Sequence, residues 1–238
     1  MTHLAVRTTV FVSALALGAA AAVTLAGCSS ATVGETVARP SGTATSDSSA
    51  GSLGAGFVGS DTPPAPESTV TPAPGSWSGV HAPDHYDVVL LSDRADTEDS
   101  AAARTLARAV RSWAAEEHVT VTPVVAADPD DRIAAVGRAL DHHADLVVSV
   151  GNDMVDPVAA VSPTALRQQF LVLGAEIAEP TSNVTAADWT GGGFRGEGLG
   201  PSSHYDPRTF TADRAGRALR AGVAAVLHDL SGIVVWVD

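Results

Sequence analysis

The chain reads as an α/β protein built on a single doubly wound, mostly parallel sheet, and three observations lead there. Short runs such as Val88-Val89-Leu90-Leu91 and Leu146–Val150 are apolar without alternation, as strands covered on both faces require. The stretches between them carry apolar residues at helical spacing. Strand-like and helix-like segments then alternate from about Asp84 to Asp238, a length that can bury one proper core.

The elements follow in order. Tyr86–Leu91 is the first strand and ends in Ser92-Asp93. A helix from about Glu98 to Glu117 places Ala103, Leu106, Val110, Trp113 and Ala114 on one stripe and turns Arg104, Arg108 and Arg111 elsewhere. Val119–Val125 is the second strand. Asp128-Pro129 opens the next helix, with proline at the first helical position, and Ile133, Val136, Gly137 and Leu140 form its inner face. Leu146–Val150 ends in Gly151-Asn152-Asp153. Short helices at Val155–Ala160 and after Ser162-Pro163 lead to strands Phe170–Leu173 and Val184–Trp189. Thr190–Asp206 reads as a glycine-rich, mobile surface loop. The longest apolar stripe, Ala215 to Leu230, lies on a helix Thr211–Leu230 that feeds a last strand, Ile233–Val237. Left unpaired, that strand would be an aggregation-prone edge, so the helix is expected to return it to the sheet as an added parallel strand by a right-handed crossover. Pairing across a homodimer is the alternative.

The N-terminal region has a different character. Arg7 precedes an apolar stretch that closes on Leu25-Ala26-Gly27-Cys28, then Ser29-Ser30. A positive head, an apolar middle and small residues before the cut describe an export signal, and cysteine directly after the cut describes a lipoprotein signal, because its thiol takes the diacylglycerol. Residues 1–27 are thus read as the signal peptide and Cys28 as the lipidation site, with two or three acyl chains holding the protein on the outer face of the cell membrane. From 28 to 83 the chain is rich in Ser, Thr, Gly, Pro and Ala, a composition expected to remain a disordered tether reaching about 40 Å. Phe57 and Trp77 are its large apolar residues.

Composition narrows the function further. Cys28 is the only cysteine, so lipidation leaves no thiol for a disulfide, a metal or a nucleophile. All 14 basic residues are arginine against 27 acidic residues, a formal charge of −13. That field disfavours nucleic acid as a partner, and the absence of lysine removes any P-loop.

In a doubly wound sheet, ligands bind at the carboxyl ends of strands beside the switch point. That rule selects Ser92, Asp93 and Asp96 after the first strand and Gly151, Asn152 and Asp153 after the third, short polar side chains suited to a small polar solute. Asp96 and Asp153 also stand where helix N-caps belong. Gly191-Gly192-Gly193-Phe194-Arg195-Gly196 matches a dinucleotide fingerprint in letters but does not join a first strand to a helix. His142-His143 with Asp145, and His81 with His85, lack an evident third ligand. Asn183-Val184-Thr185 fits a glycosylation sequon. No metal, cofactor or catalytic residue is expected, although carboxylates at the strand ends leave a hydrolase as a remote alternative.

The order of these pieces resembles the basic membrane protein family of substrate-binding lipoproteins, the nucleoside-binding branch of the type I periplasmic binding fold. The resemblance rests on the lipobox, on Leu91-Ser92-Asp93, on Ala144-Asp145-Leu146-Val147-Val148-Ser149-Val150-Gly151, on Phe170–Gly174 followed by Asn183-Val184-Thr185, and on Ala221–Leu227. It covers about Tyr86 to Val237. It implies a non-enzymatic protein that hands a nucleoside-like solute to an ABC permease, with Asp93 at the family's contact position and Trp189 as the nearest aromatic to stack a base. The chain reaches Asp238 where the family's second lobe would begin, so one flavodoxin-like lobe is expected. A structural or interaction lipoprotein that keeps the fold without a ligand is the alternative.

Cys28→Ala should abolish radiolabelled palmitate incorporation and release the leader-cleaved chain from the membrane pellet. Continued sedimentation of that cleaved variant with membranes would contradict lipid anchoring.

Overall fold

A computed structural model describes residues 50–59, 62–94, 100–195 and 204–238. The signal peptide, Cys28, Asp96 and the stretch 196–203 lie outside the described residues. Its strands are β1 (Thr69–Val70), β2 (Asp87–Asp93), β3 (Thr120–Ala126), β4 (Leu146–Val150), β5 (Gln169–Leu173), β6 (Ala175–Ile177), β7 (Val184–Asp188), β8 (Gly193–Arg195) and β9 (Val234–Trp236). Its helices are α1 (Ser100–Glu117), α2 (Arg132–Asp141), α3 (Val155–Val161) and α4 (Ala212–Leu227).

Seven strands form one sheet in the order β1-β9-β7-β5-β4-β2-β3, and every pairing in it is parallel. The architecture is the expected α/β one. The strand order reverses between β2 and β4, which fixes the switch point there. Register explains the continuous apolar runs. Leu90, Val148 and Leu171 stand in one row, as do Leu173, Ala187 and Val235, and these rows meet α1 and α4 through Leu106, Val110, Ala218 and Leu219. The opposite face, with Val89, Val147 and Phe170, is covered by α2 and α3 through Ala135, Val136, Val155 and Val158. Pro123 sits in β3, an edge strand paired only with β2, where a missing N–H is tolerated. A two-stranded piece, β6 with β8, stands beside the main sheet.

The last strand joins the sheet as expected, parallel to β7 with Ala187 opposite Val235. Its crossover, however, has the opposite hand to the one anticipated. The steps β3 to β4 and β7 to β9 run in the same direction across the sheet, yet α2 and α4 lie on opposite faces. The two connections therefore differ in hand, and α4 lies on the face it shares with α1. The physical reason is vacancy and fit. α1 leaves β5, β7 and β9 bare on that face, and the small residues Ala215, Ala218 and Gly222 let α4 lie close against Leu171 and Ala187.

The N-terminal stretch differs from a tether wherever it is described. β1 pairs with β9, Thr69 opposite Val234, so the outer edge of β9 is occupied within the chain rather than by a second copy. Phe57 is 1% and Trp77 7% exposed, both in the core shared with α1 and α4. Backbone bonds tie the segment to itself and to the domain: Gly54 N to Ser76 O at 2.6 Å, Ala73 N to Gly56 O at 2.9 Å, and Glu67 N to Gly232 O at 2.7 Å. The expectation from composition was a disordered tether; the described part is ordered, mostly as turns with little regular secondary structure. Phe57, Trp77 and Val70 anchor it in the core, with Leu53, Val58 and Val80 packed against that core. The buried Asn183 acts as a staple, its amide donating to the carbonyls of Ser162, Ala165 and Gln168.

Phe57→Ala should lower stability by about 3–4 kcal/mol, the usual loss for emptying a buried aromatic site, read as a lower urea midpoint at unchanged slope. An unchanged midpoint would show that this segment does not belong to the cooperative unit.

Candidate functional site

Parallel strands release their chains at one rim, and the polar residues anticipated there are found there. Ser92 and Asp93 close β2. Gly151, Asn152 and Asp153 follow β4 on the other side of the switch point. Gly151 has φ +97°, and a Cβ on it would lie 3.1 Å from that of Ala103, so the turn needs glycine both for its backbone and for its approach to α1. Asn152–Met154 is a single 3-10 turn that starts the connection to α3.

The rim is organised by Arg132, which no sequence motif singles out. Arg132, the first residue of α2, donates through Nε to the Asp93 carboxylate, and its Nη2 lies 3.3 Å from Asp153 Oδ1. The Asp93 side chain is 8% exposed, those of Arg132 and Asp153 19% each. One guanidinium thus ties the carboxylates of the two strands flanking the switch point. Its position follows from a well-marked helix start: the Asp128 side chain accepts from Asp130 N and Asp131 N at 3.1 Å each. Sequence spacing gave no hint of Arg132, because its partners are 39 and 21 residues away and meet it only across the sheet.

Ser92 and Asp93 also line a cavity of about 390 Å³ with Arg94, Ser100, Ala103, Arg104, Ala107, Arg108 and Arg111. On the β4 side, Asn152 Oδ1 is buried without a hydrogen-bond partner, and it occupies the space a Cβ on Gly193 would need. Trp189 is different from its expected role. It is 0% exposed, donates Nε1–H to Thr209 Oγ1 at 3.0 Å, and meets Phe210 edge-to-face at 5.0 Å between centroids. With its faces packed in the core it has none to offer a base.

A second polar group was missed because it was read as the interior of a strand. Asp188, the last residue of β7, is 1% exposed. Burial raises its carboxyl from the usual range to about 8; the Trp189 amide pulls downward, and the Glu176 charge on β6 adds a smaller upward push. Neither Asp188 oxygen completes a hydrogen bond of normal geometry. Its oxygen stands where a Cβ on Gly192 would fall. Gly191–Gly193 is therefore buried packing against Asp188 and Asn152, and Gly193–Arg195 continues as β8. That much of the stretch anticipated as a mobile loop is ordered.

No group of three or more His, Cys, Asp or Glu placed to hold a metal occurs among the described residues, and none of their helices is long and apolar enough to cross a membrane. No protein-family model matches the sequence, and no curated protein matches it either. Solved structures similar to it include a fragment provisionally named as a lipoprotein from Peptoclostridium difficile 630, at 16% identity and a TM-score of 0.45, covering 60% of this chain and 98% of that one. A solute-binding protein of an ABC transporter system from Aeropyrum pernix K1 aligns at 20% identity and 0.39, and one from Conexibacter woesei DSM 14684 at 18% and 0.34. Each of those two alignments covers 44% of this chain and only 29% and 35%, respectively, of the longer protein.

Asp188 stays protonated in the folded chain and ionises in the unfolded chain between about pH 4 and pH 8. The native state then holds the extra proton, so this residue makes stability fall as pH rises through that window, by on the order of 5 kcal/mol for a shift of this size. Asp188→Asn should flatten the slope, gaining on the wild type at pH 8 relative to pH 5 in urea midpoints. Parallel curves for the two proteins would contradict it.

Proposed function

We propose that this is a lipid-anchored, extracytoplasmic solute-binding-like protein, not an enzyme, whose α/β lobe takes a small polar solute at the switch point and works beside an ABC permease. The observation that carries the reading is the β2–β4 rim itself. Ser92 and Asp93 open into a 390 Å³ cavity, within the size of ordinary small-molecule sites. Across the switch point, Asn152 is half-buried, with its carboxamide oxygen turned against Gly193. Arg132 holds Asp93 and Asp153 in place before anything binds, which lowers the ordering cost of recognition. The lipobox and the strand-end pattern support the envelope location and the binding role together. The nucleoside class finds less support, since Trp189 is enclosed.

A second reading has its own observation. Asp93, Arg132 and Asp153 satisfy one another, as they would in a lobe kept for structure or for protein contact alone.

With the full chain purified in non-ionic detergent, a thermal-shift panel of nucleosides, sugars, amino acids and their phosphorylated forms should yield at least one stabilising solute. Asn152→Ala should weaken that solute at least tenfold while changing stability by less than about 1 kcal/mol. A panel with no response from a folded chain would leave the second reading standing and overturn the first.

A further inference from the structure

We infer that the solute received at the rim carries a phosphate group, held by Arg94, Arg104, Arg108 and Arg111. This rests on the solute-binding reading and adds the chemical class of the ligand. All four arginines line the cavity that begins at Ser92 and Asp93, and all four are exposed. Arg104, Arg108 and Arg111 stand at i, i+4 and i+7 on α1, so their guanidinium groups share one helix face, where like charges repel and weaken the helix. In a chain of net charge −13 such a row has ample opportunity for acidic partners. Arg132, Arg138, Arg208, Arg217 and Arg220 each have a carboxylate. None of the four cavity arginines has a carboxylate within salt-bridge range among the described residues, and the one carboxylate in the cavity, Asp93, is engaged by Arg132. Arg108 bonds to a neutral hydroxyl, Thr105 Oγ1, at 2.9 Å.

The chemistry then selects the ligand. Guanidinium forks match phosphate oxygens two at a time, and a cationic cleft in an otherwise repelling field concentrates small anions locally. A neutral nucleoside or sugar would leave these charges unanswered. A volume of about 390 Å³ admits a phosphorylated small molecule.

The test uses the full chain in non-ionic detergent, with inorganic phosphate and pyrophosphate as probes and ribose as the neutral control. Pyrophosphate should bind more tightly than phosphate, both should raise the melting temperature, and added sodium chloride should weaken both. Arg104→Ala/Arg108→Ala should raise the pyrophosphate Kd at least tenfold. Arg138→Ala, which removes an arginine already paired with Asp131, should leave it unchanged. Asp96, Glu98 and Asp99 are the acidic residues of the neighbouring sequence. If pyrophosphate binds only after these three become Asn, Gln and Asn, the arginines serve the chain's own acids and the inference fails. It also fails if binding survives the double variant, or if the chain binds anionic vesicles but neither free probe. Binding of neutral solutes with no response to either phosphate would overturn the phosphate class while sparing the solute-binding reading. Silence toward every solute would overturn both.

Discussion

A strand buried on both faces can carry a polar side chain cheaply only where it leaves the sheet, because a polar group inside finds no water and few partners. Here all seven strands of the main sheet run parallel, so every cheap position of one kind falls on the same rim. Ser92 and Asp93 stand at the end of β2, Asn152 and Asp153 just past β4, and Asp188 at the end of β7. The same constraint explains Arg132. A single guanidinium at the start of α2 reaches both carboxylates only because β2 and β4 are adjacent while their sequence neighbours lie elsewhere.

The constraint also shapes the far edge of the sheet. β9 carries Val234 and Val235 and would expose an open apolar edge if it ended the sheet. Two residues of β1 cover it, and the turns that precede α1 bury Phe57 and Trp77 against the same face as α4. α4 in turn takes the face that α1 leaves open, giving up the usual hand of a parallel crossover. Coverage of apolar surface decided this geometry over local chain preference. A Ser/Thr/Gly/Pro-rich segment is thus ordered by a strand pairing, backbone bonds and a few apolar side chains that meet a surface left open for them.

Charge is distributed unevenly over this frame. An acidic chain that uses only arginine for its positive charges places five of them in ion pairs and gathers four others around one cavity at the rim. Asp188 is the reverse case, a carboxylate kept neutral by burial and by its neighbour Glu176. The arginine cavity starts at the end of β2 and runs along α1, and Asp188 lies at the end of β7.

The sequence by itself determined the α/β class, the run of strands and helices from Tyr86 onward, and the strand-end positions Ser92, Asp93, Gly151, Asn152 and Asp153. Those are period and punctuation: apolar runs, helical stripes, and polar residues at their ends, all local in the chain. Tertiary structure alone decided that Trp189 is enclosed, that Asp188 is buried, that Arg132 joins two strand ends, that α4 crosses on the face of α1, and that 50–83 packs rather than dangles wherever it is described. Each of these depends on which distant surface is free to receive a side chain or a strand. Residue spacing along the chain carries no record of that, because contacts between residues tens of positions apart are set by sheet order and coverage, not by the local pattern.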